Sequence, residues 1–204
     1  TGLNAGNYTG TITVTDENGK TYTATVTLKV EPKELTGLGI SGLDSTWVYG
    51  ETKTPTATGV DDLGADGYEI IYSKKDSSGN YANIGNKLPT LVGEYKATLS
   101  VKNPNYTANE ASVYFEITPI TTEVKVKSFD DTFTYDGSEH TRNAYDVLWA
   151  NNASPVADNK LPNGDKVTAQ ITGKVRDVKD TKIENNTIGK ITITNAEGVD
   201  VTNC

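Results

Sequence analysis

The sequence predicts an all-β chain of tandem β-sandwich modules arranged end to end. Three observations carry that expectation. The composition is that of strands and turns, with Thr, Val, Ile and Tyr at the patterned positions, 19 glycines and no methionine in 204 residues. Apolar and polar residues alternate with period two over long stretches, the pattern of strands with one buried face. The longest such stretch occurs twice.

The first copy is AGNYTGTITVTDENGKTYTATVTLKVEP, Ala5 to Pro32, and the second is VGEYKATLSVKNPNYTANEASVYFEITP, Val92 to Pro119. They align without a gap at an offset of 87, so that Gly6 meets Gly93, Tyr8 meets Tyr95 and Pro32 meets Pro119. Apolar residues fall on one face of each: Tyr8, Ile12, Val14, Val26, Leu28 and Val30 against Tyr95, Leu99, Val101, Val113, Phe115 and Ile117. Each copy should form two antiparallel strands. In the first, Asn18-Gly19 tolerates positive φ and suits a tight turn, while Thr11, Thr13, Thr15, Thr23, Thr25 and Thr27 make a water-tolerant outer face.

A second correspondence sets STWVYGETKTPTA (Ser45 to Ala57) on DTFTYDGSEHTRNA (Asp131 to Ala144). It places Trp47 on Phe133 and Tyr49 on Tyr135 at an offset of 86, with one extra residue after the tyrosine. The two offsets agree on a module of about 86 residues, ordinary for a small β domain. The expected organisation is the closing β-hairpin of a preceding module (1–33), one complete module (34–119) and a second module (120–204). Pro32 and Pro119 each close a last strand, where a missing N–H interrupts no ladder. The connections KEL and ITT are too short for loose tethers, so a segmented rod is expected. No segment has useful helical periodicity.

A formal charge of -8 and a pI near 4.7 argue against nucleic acid, whose phosphates require a basic stripe. No apolar run approaches the roughly eighteen residues of a membrane span. The chain opens at Thr1 without a charged-then-apolar leader, as an excised piece of something larger would. The single cysteine, Cys204, can make no internal disulfide and is expected to be a strand residue without a redox role.

Short motifs carry a family resemblance. VYG at Val48 to Gly50 resembles the opening of tandem MBG modules of the YGX type, and TYDG at Thr134 to Gly137 resembles the related YDG type. LPNGDKVTAQITG (Leu161 to Gly173) and ITITNAEGVDVTN (Ile191 to Asn203) are similar to late segments of such modules. Both types occur repeated in large bacterial cell-surface proteins. The resemblance implies extracellular, Ig-like modules used as stalk or adhesion units, with no family-wide catalytic residue. Modules similar to the last continue past DVTN with an aromatic residue and one more strand, so by length alone 120–204 would be a complete module, whereas by that motif it lacks its last strand.

The residues support a sandwich independently. In GEYKATLSV, Tyr95 stands two residues before the small Ala97, the pattern of the Ig-like corner in which a tyrosine hydroxyl bonds back to the chain. GNYTGTITV repeats it with Tyr8 and Gly10. The rival architecture, a β-grasp-like module, needs a helix across the sheet, and the sequence offers none.

Candidate sites are few. The module-opening motif is Trp47, Tyr49 and Gly50 in one module and Phe133, Tyr135, Asp136 and Gly137 in the next. Because both aromatic pairs recur, they are expected to fill cores rather than form sugar-stacking platforms. Trp149 does not recur and is the candidate ligand contact. His140, the only histidine, has no counterpart in the preceding module, and in a strand its neighbour Glu139 points to the opposite face. An exposed strand residue is therefore expected there.

Asp61, Asp62, Asp66 and Glu69 form one acidic loop group, and Asp130, Asp131 and Asp136 another. Neither has EF-hand spacing for calcium, so solvated turns are expected, with no metal and no cofactor. One histidine and one cysteine cannot build a usual zinc site. The strand SVYFEIT has no asparagine to accept a Lys–Asn crosslink.

The expected function is a structural stalk and adhesion segment at the bacterial cell surface, not an enzyme. Expected partners are neighbouring modules of the same protein and host or cell-wall glycan or protein, with no nucleic acid and no membrane span. The alternative is a carbohydrate- or host-ligand-binding module acting through Trp149 or another exposed ring. The apolar face of residues 8–30 should be covered by the following module, or by strand addition to a neighbouring molecule. An enzyme would instead need a deep pocket holding His140 against a carboxylate.

Overall fold

The computed structural model describes residues 2–180 and 185–204. Among them the only helical elements are three single turns of 3-10 helix, and everything else regular is strand. No helix is long and apolar enough to cross a membrane among the described residues. The chain divides into two compact units, Thr1–Trp47 with Glu51–Ile117 and Val48–Gly50 with Thr118–Cys204.

The first unit opens with the hairpin of β1 (Gly6–Thr15) and β2 (Thr21–Val30). At its turn the Asp16 carboxylate accepts the N–H groups of Asn18 and Lys20, and Gly19 takes a φ of 81° that a Cβ would resist. Short strands follow: β3 (Lys33–Leu35), β4 (Gly39–Ser41), β5 (Thr46–Val48) and β6 (Thr56–Thr58). Longer ones complete the unit: β7 (Tyr68–Lys75), β8 (Tyr81–Gly85), β9 (Gly93–Val101), β10 (Tyr106–Ala108) and β11 (Ala111–Thr118). The principal sheet has five strands in the order β5-β11-β9-β7-β8, while β3 with β10 and β4 with β6 form two small sheets.

The inner face of the principal sheet carries an aromatic core. The Phe115 ring stacks on Trp47 with centroids 4.7 Å apart and on Tyr95 at 5.4 Å, and meets Tyr72 edge-on at 6.3 Å. Beside it Leu35, Val60, Leu63 and Leu99 pack with Leu38 and with Ile40 and Ala57 of the β4–β6 sheet, which closes over that end of the face.

The two long strands of each copy pair in the same register, although the second copy carries β10 between them where the first has only a turn. In β1–β2, Tyr8 stands opposite Leu28, Gly10 opposite Val26 and Ile12 opposite Ala24; in β9–β11, Tyr95 faces Phe115, Ala97 faces Val113 and Leu99 faces Ala111. The corner hydrogen bond repeats as well, from the Tyr8 hydroxyl to Asn4 O at 2.9 Å and from the Tyr95 hydroxyl to Leu91 O at 2.7 Å.

The environments of the two copies differ. Phe115 is 4% exposed and its counterpart Leu28 is 50% exposed, and Ile12, Val14, Tyr22 and Val26 are bare with it. This corrects the expectation that the following module covers the hairpin. The inner face of the principal sheet is already filled by Trp47, Tyr72 and Phe115, so that core has no room for the hairpin's apolar residues. Polar bonds tie the hairpin's base instead: the Asn105 side chain accepts the Ala5 N–H at 2.7 Å and donates to Asn4 Oδ1 at 3.0 Å.

The second unit is built of two antiparallel pairs, β12 (Val124–Ser128) with β13 (Tyr145–Trp149) and β14 (Lys166–Thr172) with β15 (Thr187–Thr194). Its core is Val147, Leu161 and Val167, joined by Val124, Val126, Tyr145, Val156 and Ile193. Cys204 lies in no strand, contrary to expectation. Its carbonyl accepts the Ile120 N–H at 2.6 Å, so the backbone there closes a loop instead of a ladder.

Candidate functional site

The two aromatic pairs that align in sequence have different fates. Trp47 and Tyr49 are buried, at 5% and 8% exposure. Trp47 belongs to β5 and stacks in the aromatic core, while the Tyr49 hydroxyl donates to the buried Asp165 carboxylate at 3.3 Å. Gly50 follows with a φ of 89°, and a Cβ there would meet Asn163.

Phe133 and Tyr135 are exposed, at 38% and 64%, which corrects the expectation that they fill a core. The physical reason is local. Residues 129–139 form no strand, so no sheet carries these rings inward as β5 carries Trp47.

Phe133 instead lines a cleft of about 400 Å³ between residues 129–133, 140–142, 173–175 and 185–186. Each wall is held by specific bonds. The Asn186 amide donates to the carbonyls of Phe129 and Arg142, both at 2.8 Å, and the Asn185 amide donates to Lys174 O at 2.9 Å. His140 and Val175 exchange both backbone hydrogen bonds, at 2.9 and 3.1 Å. The Arg176 Nε donates to Gly137 O at 3.1 Å, which fixes the turn that follows Asp136.

His140 is thereby placed differently from the bare strand residue expected. Its side chain is largely covered: the imidazole stacks on Phe133 with centroids 4.6 Å apart and planes 13° from parallel. Its Nε2 lies 2.9 Å from Asp136 Oδ1. Glu139 does point away and pairs with Lys174 at 2.8 Å, so the carboxylate that reaches the ring comes from four residues back. Asp136 is held below the usual carboxylate range, chiefly by the Ser138 N–H and next by His140.

At the other wall Arg142 Nε stands 3.7 Å from the Asp131 carboxylate, and its guanidinium lies 5.7 Å from the Phe129 ring centre. Among the described residues this loose ion pair engages only Nε, which leaves the terminal guanidinium nitrogens to face a ligand. Chemically, the cleft offers a ring platform, a guanidinium donor and carboxylate acceptors. An imidazole oriented by a carboxylate can also move a proton, but among the described residues no hydroxyl or thiol is bonded to the ring's other nitrogen, as nucleophilic chemistry would need.

The remaining candidates lie elsewhere. Trp149 is half-buried and packs against Val147, Leu161 and Val167. In the first acidic group Asp62 pairs with Lys33, and Glu69 pairs with Lys102 at 2.7 Å. Among the described residues no group of three or more His, Cys, Asp or Glu could hold a metal ion. Phe129, Arg142 and Asn186 were not singled out by sequence reasoning. They lie up to 57 positions apart and belong to no motif, so only folding brings them together.

No protein-family model matches the chain, and no curated protein matches it in sequence.

Proposed function

We propose that the chain is a non-catalytic structural and adhesive segment of a bacterial cell-surface protein, built of tandem Ig-like modules. The observation that carries the reading is the doubled strand pair. At an offset of 87 residues β1–β2 and β9–β11 keep the same register and the same tyrosine corner, from Tyr8 to Asn4 O and from Tyr95 to Leu91 O. A corner of that kind is a recurrent device of Ig-like sandwiches. Repetition of one such unit along a chain is how extended surface proteins gain length from modules that each fold around their own core. The acidic balance of the chain, formally -8, suits an exposed protein that must stay dispersed.

The test is made on intact cells of the bacterium that produces the protein. An antibody raised against this chain should label unbroken cells, and protease added outside should remove the label. Labelling that appears only after lysis would overturn the reading.

A further inference from the structure

We infer that the cleft beside Phe133 is a saccharide-binding site for a neutral pyranose, with Phe133 as the stacking platform and Arg142 and Asp131 as hydroxyl partners. The inference deepens the adhesive reading above and rests on it. It starts from the contrast between aligned aromatic pairs: Trp47 and Tyr49 are buried, whereas Phe133 and Tyr135 stand at 38% and 64% exposure. Two neighbouring rings left in water forgo hydrophobic stabilisation, and exposed apolar surface grouped with polar rims is characteristic of recognition sites.

The platform is preorganised. Phe133 is backed on one face by the nearly parallel His140 ring, and that imidazole is fixed by Asp136 at 2.9 Å and by its paired backbone bonds to Val175. A rigid ring costs little further entropy on binding. The polar groups nearby suit hydroxyls. Arg142 retains donors beyond its 3.7 Å contact with Asp131, and the Asp131 carboxylate is an acceptor on the same wall. A pyranose presents this combination, an apolar C–H face with hydroxyls around the edge.

Charge favours a neutral sugar. Among the described lining residues, Arg142 is paired with Asp131 and Lys174 with Glu139, and Asp130 adds a carboxylate that repels an anion. A volume of about 400 Å³ is also within the range of small-ligand clefts.

The full chain would be titrated with cellotriose, mannotriose and chitotriose, and with 3′-sialyllactose as the anionic probe, by ¹⁵N–¹H spectroscopy. At least one neutral trisaccharide should shift the Phe133, His140 and Arg142 resonances. Binding should weaken about tenfold in both Phe133→Ala and Arg142→Ala, the loss expected for one stacking or one charge-assisted contact. It should be unchanged in Tyr114→Ala, an exposed ring on the first unit.

The inference fails if no neutral trisaccharide shifts these resonances, if only the sialylated probe does, or if Phe133→Ala binds as the parent does. Should Phe133→Ala disturb the fold, Arg142→Ala decides alone, because its side chain is about half exposed and lies outside the core. Labelling of intact cells does not depend on sugar binding, so failure here leaves the surface reading standing.

Discussion

Tyr49 shows how a single side chain couples burial to pH. Its hydroxyl donates to Asp165 Oδ1 at 3.3 Å, while Asn163 Nδ2 donates to the other oxygen at 2.9 Å. Burial, followed by the charge of Asp165, pushes the phenol well above its ordinary value of 10.0. The unfolded chain therefore ionises first: the contribution is fully present below pH 10 and is lost as pH rises beyond it. Tyr49→Phe should cost roughly 1–3 kcal/mol at neutral pH by stripping a partner from a buried carboxylate. The variant should also lose less stability than the parent between neutral pH and pH 11, read from urea midpoints at the two pH values. Equal losses would mean that the phenol does not titrate differently in the two states. A tyrosine after a tryptophan was visible in the sequence, but its acceptor, 116 positions away, was not.

At the scale of elements, the two copies of the repeated strand pair form a natural controlled comparison. Local pattern narrows the register, because a one-residue slip would turn every apolar residue to the other side, and the connection between the strands selects among the remaining even slips. Both copies obey it. What covers the apolar side is not a local property. Phe115→Ala removes a ring stacked between Trp47 and Tyr95 and should cost about 3–5 kcal/mol. Its counterpart Leu28→Ala, on a bare face, should fall within about 0.5 kcal/mol of the parent. Denaturant unfolding of the two variants checks this directly, and a large cost at Leu28 would mean that something covers β1 and β2 in solution. The same reasoning explains Phe133 and Tyr135: their pattern resembles that of β5, yet without a sheet around them the rings stay out.

For the whole molecule, the two units have separate cores, one centred on Phe115 and one on Val147. Thermal unfolding should accordingly depart from a single two-state transition, with a calorimetric enthalpy larger than the van't Hoff value. Acid should affect both units. Glu110 in the first is held below its ordinary value by Lys96, and Asp136 and Asp200 in the second by the Ser138 N–H and the Thr202 hydroxyl. Depressed carboxylates stabilise the fold above their unfolded values of 4.5 and 3.8, and that stabilisation is lost as pH falls through the lower folded values. Urea midpoints should therefore hold level from pH 7 to about pH 5 and fall below about pH 4. Asp136→Asn should blunt the fall in the second unit alone.

By itself the sequence determined the β class, the doubled strand pair, the turn at Asn18-Gly19 and the corner tyrosines Tyr8 and Tyr95. All of these follow from short-range steric and hydrophobic periodicity. Only the tertiary structure decided which aromatic rings are buried, what stands beside His140, and that Phe129, Arg142 and Asn186 meet around one cleft. The reason is that side-chain burial and hydrogen-bond partnership depend on which strands come to lie over a segment. That is set by chain closure over tens of residues, and no local pattern encodes it.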